Sequence, residues 1–166
     1  MEELSNNLGE VENELDRYLD IFKRVKAEQK IDELRKRMES IIANQDNIDR
    51  QIRTTSTQSD PSKFKRLAQE ERMIDKKLND IRSTLNIAAK NVKDYSRRTA
   101  QNLENLSDSD IAESTDDLIS QTIEDLDDNN PYDAMENSYA GLMSMESLGT
   151  NLDNICLLYT SPSPRD

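Results

Sequence analysis

"FKRLAQEERMIDKKLNDIRSTLNIAAKNVKDY", residues 64–95, decides the fold class. Phe64, Leu67, Glu71, Ile74, Leu78, Ile81, Leu85, Ala88, Val92 and Tyr95 follow one another at strictly alternating steps of three and four residues. That period places them in one stripe along an α-helix, and it is incompatible with the two-residue alternation of a strand. Just upstream, Asp60 is a residue type that caps a helix, and Pro61 stands at the first helical position, where its missing N–H is no loss. A helix from Pro61 to about Arg98 would extend roughly 57 Å.

Toward the N-terminus the same pattern occurs twice more. Ile31, Leu34, Met38, Ile41, Gln45, Ile48 and Ile52 form a second seam, which stops in "RTTSTQSDP", a stretch of poor helix propensity. Leu4, Leu8, Val11, Leu15, Tyr18, Phe22 and Val25 form the first. Between them the step from Val25 to Ile31 is six residues, so a turn or stutter is expected at "KAEQK", with a bent continuous helix as the alternative. Gln45 and Glu71 interrupt their seams. The simpler expectation is that their long side chains reach solvent at a helix edge, and the alternative is a register-setting polar layer.

None of the three stripes can be buried by its own helix, and two short connections favour antiparallel neighbours. The expected architecture is all-α, an antiparallel three-helix bundle over residues 1–98. Its core would be Leu15, Phe22, Leu34, Met38, Ile41, Ile48, Phe64, Leu67, Ile74, Leu78, Ile81 and Leu85. A long intermolecular coiled coil is the other arrangement that the pattern permits.

Beyond Arg98 the charge balance changes. Residues 1–98 carry 21 Lys and Arg against 19 Asp and Glu, whereas residues 99–155 carry 14 acids and no base. Ten of those acids lie between Glu104 and Asp128, so residues 99–130 read as an acidic disordered linker. In it, Leu118, Ile119, Ile123 and Leu126 offer a transient helical turn or docking strip. "DSDIAESTDD" clusters carboxylates but lacks the glycine that a calcium loop needs for its sharp turn. Ser107, Ser114 and Thr122 each precede an Asp by three residues, a spacing that suits phosphorylation by acidophilic kinases.

Asn130, Pro131 and Asp133 then supply a cap, a first helical residue and a carboxylate for a helix N-terminus. Met135, Ser138, Leu142, Met145, Gly149 and Leu152 continue at heptad spacing, so residues 131–155 begin another coiled-coil helix. Ser and Gly at seam positions weaken a private core, so this helix is expected to pair with a partner rather than fold onto the first three.

Composition excludes several function classes. With no histidine and a single cysteine, Cys156, the common base and nucleophile pairs are missing, and no phosphate loop or zinc-ligand spacing occurs. No enzyme activity, cofactor or metal is expected. The acidic half disfavours nucleic acid, and the near-neutral half has no basic patch in its sequence. The N-terminus lacks the basic start and apolar run of a signal peptide, and no run approaches the roughly 20 apolar residues of a membrane span. A cytosolic setting follows as an expectation.

The order of segments resembles a Qb-type SNARE, most closely the novel plant SNAREs. "KIDELRKRMESIIANQDNIDRQIR" and "RLAQEERMIDKKLNDIRSTLNIAAK" are similar to the second and third helices of that family's N-terminal (Habc-like) domain, and "AMENSYAGLMSMESLGTNLDNI" to the start of its SNARE motif. The resemblance implies a SNARE role in vesicle-mediated transport, protein transport and membrane fusion. It makes Met135, Ser138, Leu142, Met145, Gly149 and Leu152 the early layers of a four-helix bundle with other SNARE proteins. It also implies a C-terminal anchor, absent here, on the cytosolic face of endomembranes or the plasma membrane. A non-fusogenic helical scaffold or tethering protein is the alternative.

The family's central Gln would fall near position 159, where Tyr159 stands. "CLLYTSPSPRD", residues 156–166, looks like the translation of a sequencing-library adapter over its whole length, so an artefactual tail on a truncated fragment is expected.

Overall fold

The computed structural model describes residues 1–56 and 60–160. Its regular elements there are all helices: α1 (Glu2–Ser56), α2 (Pro61–Val92), α3 (Arg97–Ser107), α4 (Asp110–Asp127) and α5 (Pro131–Thr160). The all-α class and a helical bundle are therefore what the chain adopts. Residues 57–59 of the expected connection and residues 161–166 of the tail lie outside the described residues.

The caps at two starts are the expected ones. Asp60 accepts a hydrogen bond from the Ser62 N–H at 3.1 Å, with Pro61 next to it opening α2. Pro131 opens α5 with Asp133 in its first turn. Ahead of it Asn129 adopts φ 55°, and the Asn130 N–H reaches back to the Asp125 carbonyl at 2.8 Å, closing α4 as a left-handed C-terminal cap.

Packing partners define a ring. α1 packs on α2 and α5, α2 on α3 and α4, and α4 on α5. Each neighbour runs antiparallel to the last, because paired residues count in opposite directions: Gln51 with Arg66 but Gln45 with Glu71, and Asp125 with Asn137 but Thr115 with Ser144. The bundle thus has four legs, with α3 and α4 end to end as the third and α5 as the fourth. The expected three-helix division is replaced by this one. α2 ends at Val92 rather than near Arg98, because residues 93–95 form a turn and Ser96 caps α3, accepting from the Thr99 N–H at 3.2 Å.

The largest correction concerns residues 99–130. In place of a disordered linker there are two packed helices, and the physical reason is visible in their faces. Ala112, Thr115, Ile119, Thr122 and Leu126 recur at steps of three and four and are buried, as are Ala100, Leu103 and Leu106 of α3. The acids mostly point outward, and basic residues of α2 offset two of them: Arg72 pairs with Asp127, and Arg82 with Asp116. Arg82 also donates to the Ser107 carbonyl from Nε and Nη2, at 3.1 and 2.9 Å, satisfying an acceptor that the end of α3 leaves open.

α1 corrects the expected turn at "KAEQK". It runs unbroken, since residues 26–30 contain no helix breaker and i,i+4 pairs such as Arg24–Glu28 and Arg37–Glu33 support this stretch. A step of six residues rotates the apolar stripe by roughly 120° around the helix, so the stripe ending at Val25 faces away from the bundle that Ala27 and Ile31 enter. Leu15 and Phe22 are consequently not core: they are 62% and 56% exposed. The other ten expected core residues, from Leu34 to Leu85, are all buried.

Candidate functional site

The seam of α5 is occupied inside the bundle. Ser138, Leu142, Met145 and Leu152 are buried, Met135 is half-buried, and Gly149 sits against α1, where a Cβ would come within 2.7 Å of Ile42 Cδ1. All six expected layer residues lie on or beside the face that meets the bundle, so the helix folds onto its own chain. Tyr132, Tyr139 and Met143 are left outside.

The buried face of α4 beside α5 mixes small and hydroxylated residues, Ala112, Thr115 and Thr122, with Ile119 and Leu126. Thr115 Oγ1 and Ser144 Oγ lie 2.6 Å apart, Thr115 also donates to the Ile111 carbonyl at 2.6 Å, and Asn137 donates to Asp125 at 2.8 Å.

Across the middle of the bundle runs a polar layer. Gln45 and Glu71, expected to reach solvent, are instead fully buried, and Gln45 Nε2 donates to Glu71 Oε1 at 2.6 Å and to Ser138 Oγ at 3.4 Å. The layer therefore joins α1, α2 and α5. Burial pushes the Glu71 carboxyl up to about 7, and the charges of Asp49 and Glu70 push the same way, against the Gln45 hydrogen bond. Glu71 Oε2 and Gln45 Oε1 have no protein partner, so protonating Oε2 removes a buried charge rather than a hydrogen bond.

The three candidate phosphorylation positions separate. Ser107 is buried, accepting from Asn86 Nδ2 at 3.1 Å and donating to the Arg82 carbonyl at 3.3 Å. Thr122 is buried and donates to the Leu118 carbonyl at 2.8 Å. Both are inaccessible in the folded bundle, and Ser114 alone is exposed. Cys156 is half-buried, and burial with the nearby Asp153 pushes its thiol up to about 11, which leaves little thiolate at neutral pH.

Residues 2–26 of α1 form an arm beyond the bundle, roughly 37 Å long. Leu4, Leu8, Val11, Tyr18, Leu19, Ile21 and Val25 are exposed along it, with Leu15 and Phe22. At its base lies a pocket of about 560 Å³ where α1 meets the end of α2, lined by Lys23, Lys26, Lys30, Lys90 and Tyr95 with Glu33 and Asp94. A charge count along the chain does not find this collar, since Lys90 comes to the others only through the antiparallel packing of α2 on α1.

No helix among the described residues is long and apolar enough to cross a membrane, and no group of three or more His, Cys, Asp or Glu among them is placed to hold a metal ion. No protein-family model, curated protein or solved structure matches the chain.

Proposed function

We propose that the chain is the N-terminal part and early SNARE motif of a Qb-type SNARE, acting in vesicle-mediated membrane fusion, and that the bundle is a closed arrangement of it. The observation that carries the reading is the placement of α5: Ser138, Leu142, Met145 and Leu152, which the family resemblance makes partner-facing layers, are covered by the chain's own helices. A helix with that seam binds three other amphipathic helices only after leaving α1 and α4. Assembly with the seams of other SNARE proteins would then bury the same face in a four-helix coiled coil, with zippering toward membrane anchors drawing bilayers together. On this reading the complete protein sits on the cytosolic face of endomembranes or the plasma membrane and binds no nucleic acid.

The test is to mix the chain with soluble SNARE motifs of the three complementary classes and follow amide exchange. The expected result is loss of protection in α4 while α1 from Ala27 onward and α2 stay protected. Unchanged protection with every combination would sink the reading. An independent clone across the Ile155 junction is a second check: it should show a Gln at a seam position, further heptads and an apolar run of roughly 20 residues. The exposed arm of α1 favours a second reading, a helical scaffold or tether, which predicts continued charged coil past Ile155 instead.

A further inference from the structure

The arm of α1 carries an apolar stripe that its own bundle does not cover, and its charges say what does. Residues 2–16 hold six acids, Glu2, Glu3, Glu10, Glu12, Glu14 and Asp16, and no base. Residues 17–30 hold Arg17, Lys23, Arg24, Lys26 and Lys30 against Asp20 and Glu28, and Lys90 of α2 adds to this basic end. Two arms side by side in parallel would set acid against acid. Two arms running antiparallel set the acidic tip of each against the lysine collar of the other.

We propose that this chain self-associates through an antiparallel coiled coil of two α1 arms, each docking its acidic tip on the lysine-rich pocket at the base of its partner's arm. The heptad phase fixes the register. Pairing Leu15 with Tyr18 of the second copy also pairs Val11 with Phe22 and Leu8 with Val25, six apolar layers counted in both directions. On the flank of the pair that carries the collar, Glu12 comes within two residues of the level of Lys23 of the other copy, and Glu2 within one of Lys30. The bundle does not obstruct the approach, because the stripe is turned roughly 120° from the face on which the bundle packs. The inference is independent of the SNARE reading, since it uses none of the α5 seam.

The experiment is sedimentation equilibrium on the 166-residue chain in a Cys156→Ser background. A dimer is expected, weakened at least about tenfold by Glu2→Lys and Glu12→Lys together, and abolished by Leu15→Asp with unchanged helicity. These positions are exposed, so the bundle should fold in each variant. Direction is read by oxidation of cysteine variants: Leu15→Cys mixed with Tyr18→Cys should give the mixed disulfide in preference to either homodimeric one. A monomer at about 100 μM would overturn the proposal, as would a dimer indifferent to Leu15→Asp or a pattern in which each cysteine variant links to itself.

Discussion

The two parts of α1 share a helix and a heptad period, and they have opposite fates. From Ala27 onward Ile31, Leu34, Met38, Ile41, Ile48 and Ile52 are buried against α2 and α5, whereas the stripe from Leu4 to Val25 is left exposed. Nothing in the character of either stripe distinguishes them, since both are rows of large apolar residues at steps of three and four. The difference arises at one phase shift, between Val25 and Ile31, which turns one stripe toward the bundle and the other away. Periodicity therefore shows that a helix has a face to cover, while geometry determines what covers it.

The sharpest way to break that contrast is to truncate one residue in each part. Leu34→Ala removes a side chain that is 1% exposed and should lower the unfolding free energy by about 2–5 kcal/mol, measured by urea denaturation. A small loss there would mean the bundle is loosely packed.

Next in size is the polar layer in the middle of the buried part. Glu71 has a folded pKa of about 7, above its ordinary value of 4.5. Between those values the folded state binds more protons than the unfolded state, so stability is greatest below about pH 4.5 with respect to this group. It falls as pH rises toward 7 and levels off above. Glu71→Gln should remove that dependence and make the chain more stable than the parent at pH 8 by about 1–3 kcal/mol, read as the difference between two denaturation series across pH. Parallel pH profiles for the two proteins would show that Glu71 ionises without penalty.

A smaller effect is expected where α2 holds the junction of α3 and α4. Arg82→Ala leaves the Ser107 carbonyl and Asp116 without that partner, and should cost about 1–2 kcal/mol, with amide exchange rising first around residues 107–116. The smallest effect belongs to the arm. Leu15→Ala should change unfolding by less than about 0.5 kcal/mol when the chain is dilute enough to be monomeric. Any destabilisation should grow with protein concentration, a trend absent from Leu34→Ala.

Most of the helices could be read directly. α2, its Asp60–Pro61 start, the start of α5 at Pro131 and the second seam are made of strong helix formers and large apolar side chains, and local rules suffice for them. α4 shows where that legibility ends. Its buried face has the same three-and-four spacing, but Ala112, Thr115 and Thr122 stand where Leu or Ile would announce a seam, and the surrounding acids give the segment the composition of a solvated tether. The arginines that make those acids tolerable, Arg72 and Arg82, lie on α2, far away in sequence. The candidate site follows the same division: the α5 seam was plain from its spacing, whereas its burial, Ser138 joining Gln45 and Glu71, and the collar of Lys23, Lys26, Lys30 and Lys90 all require α1, α2 and α5 to be side by side.

By itself the sequence determined the all-α class, the heptad stripes, the caps and the separation of acidic from near-neutral halves, because these depend on residues within a turn or two of one another. Only the tertiary structure decided that α3 and α4 form a leg of the bundle, that α5 closes it, that two long polar side chains meet in its interior, and that the first seven turns of α1 stand outside. Those outcomes depend on which stripes face one another across the bundle, and a stripe of apolar residues specifies burial without specifying its partner.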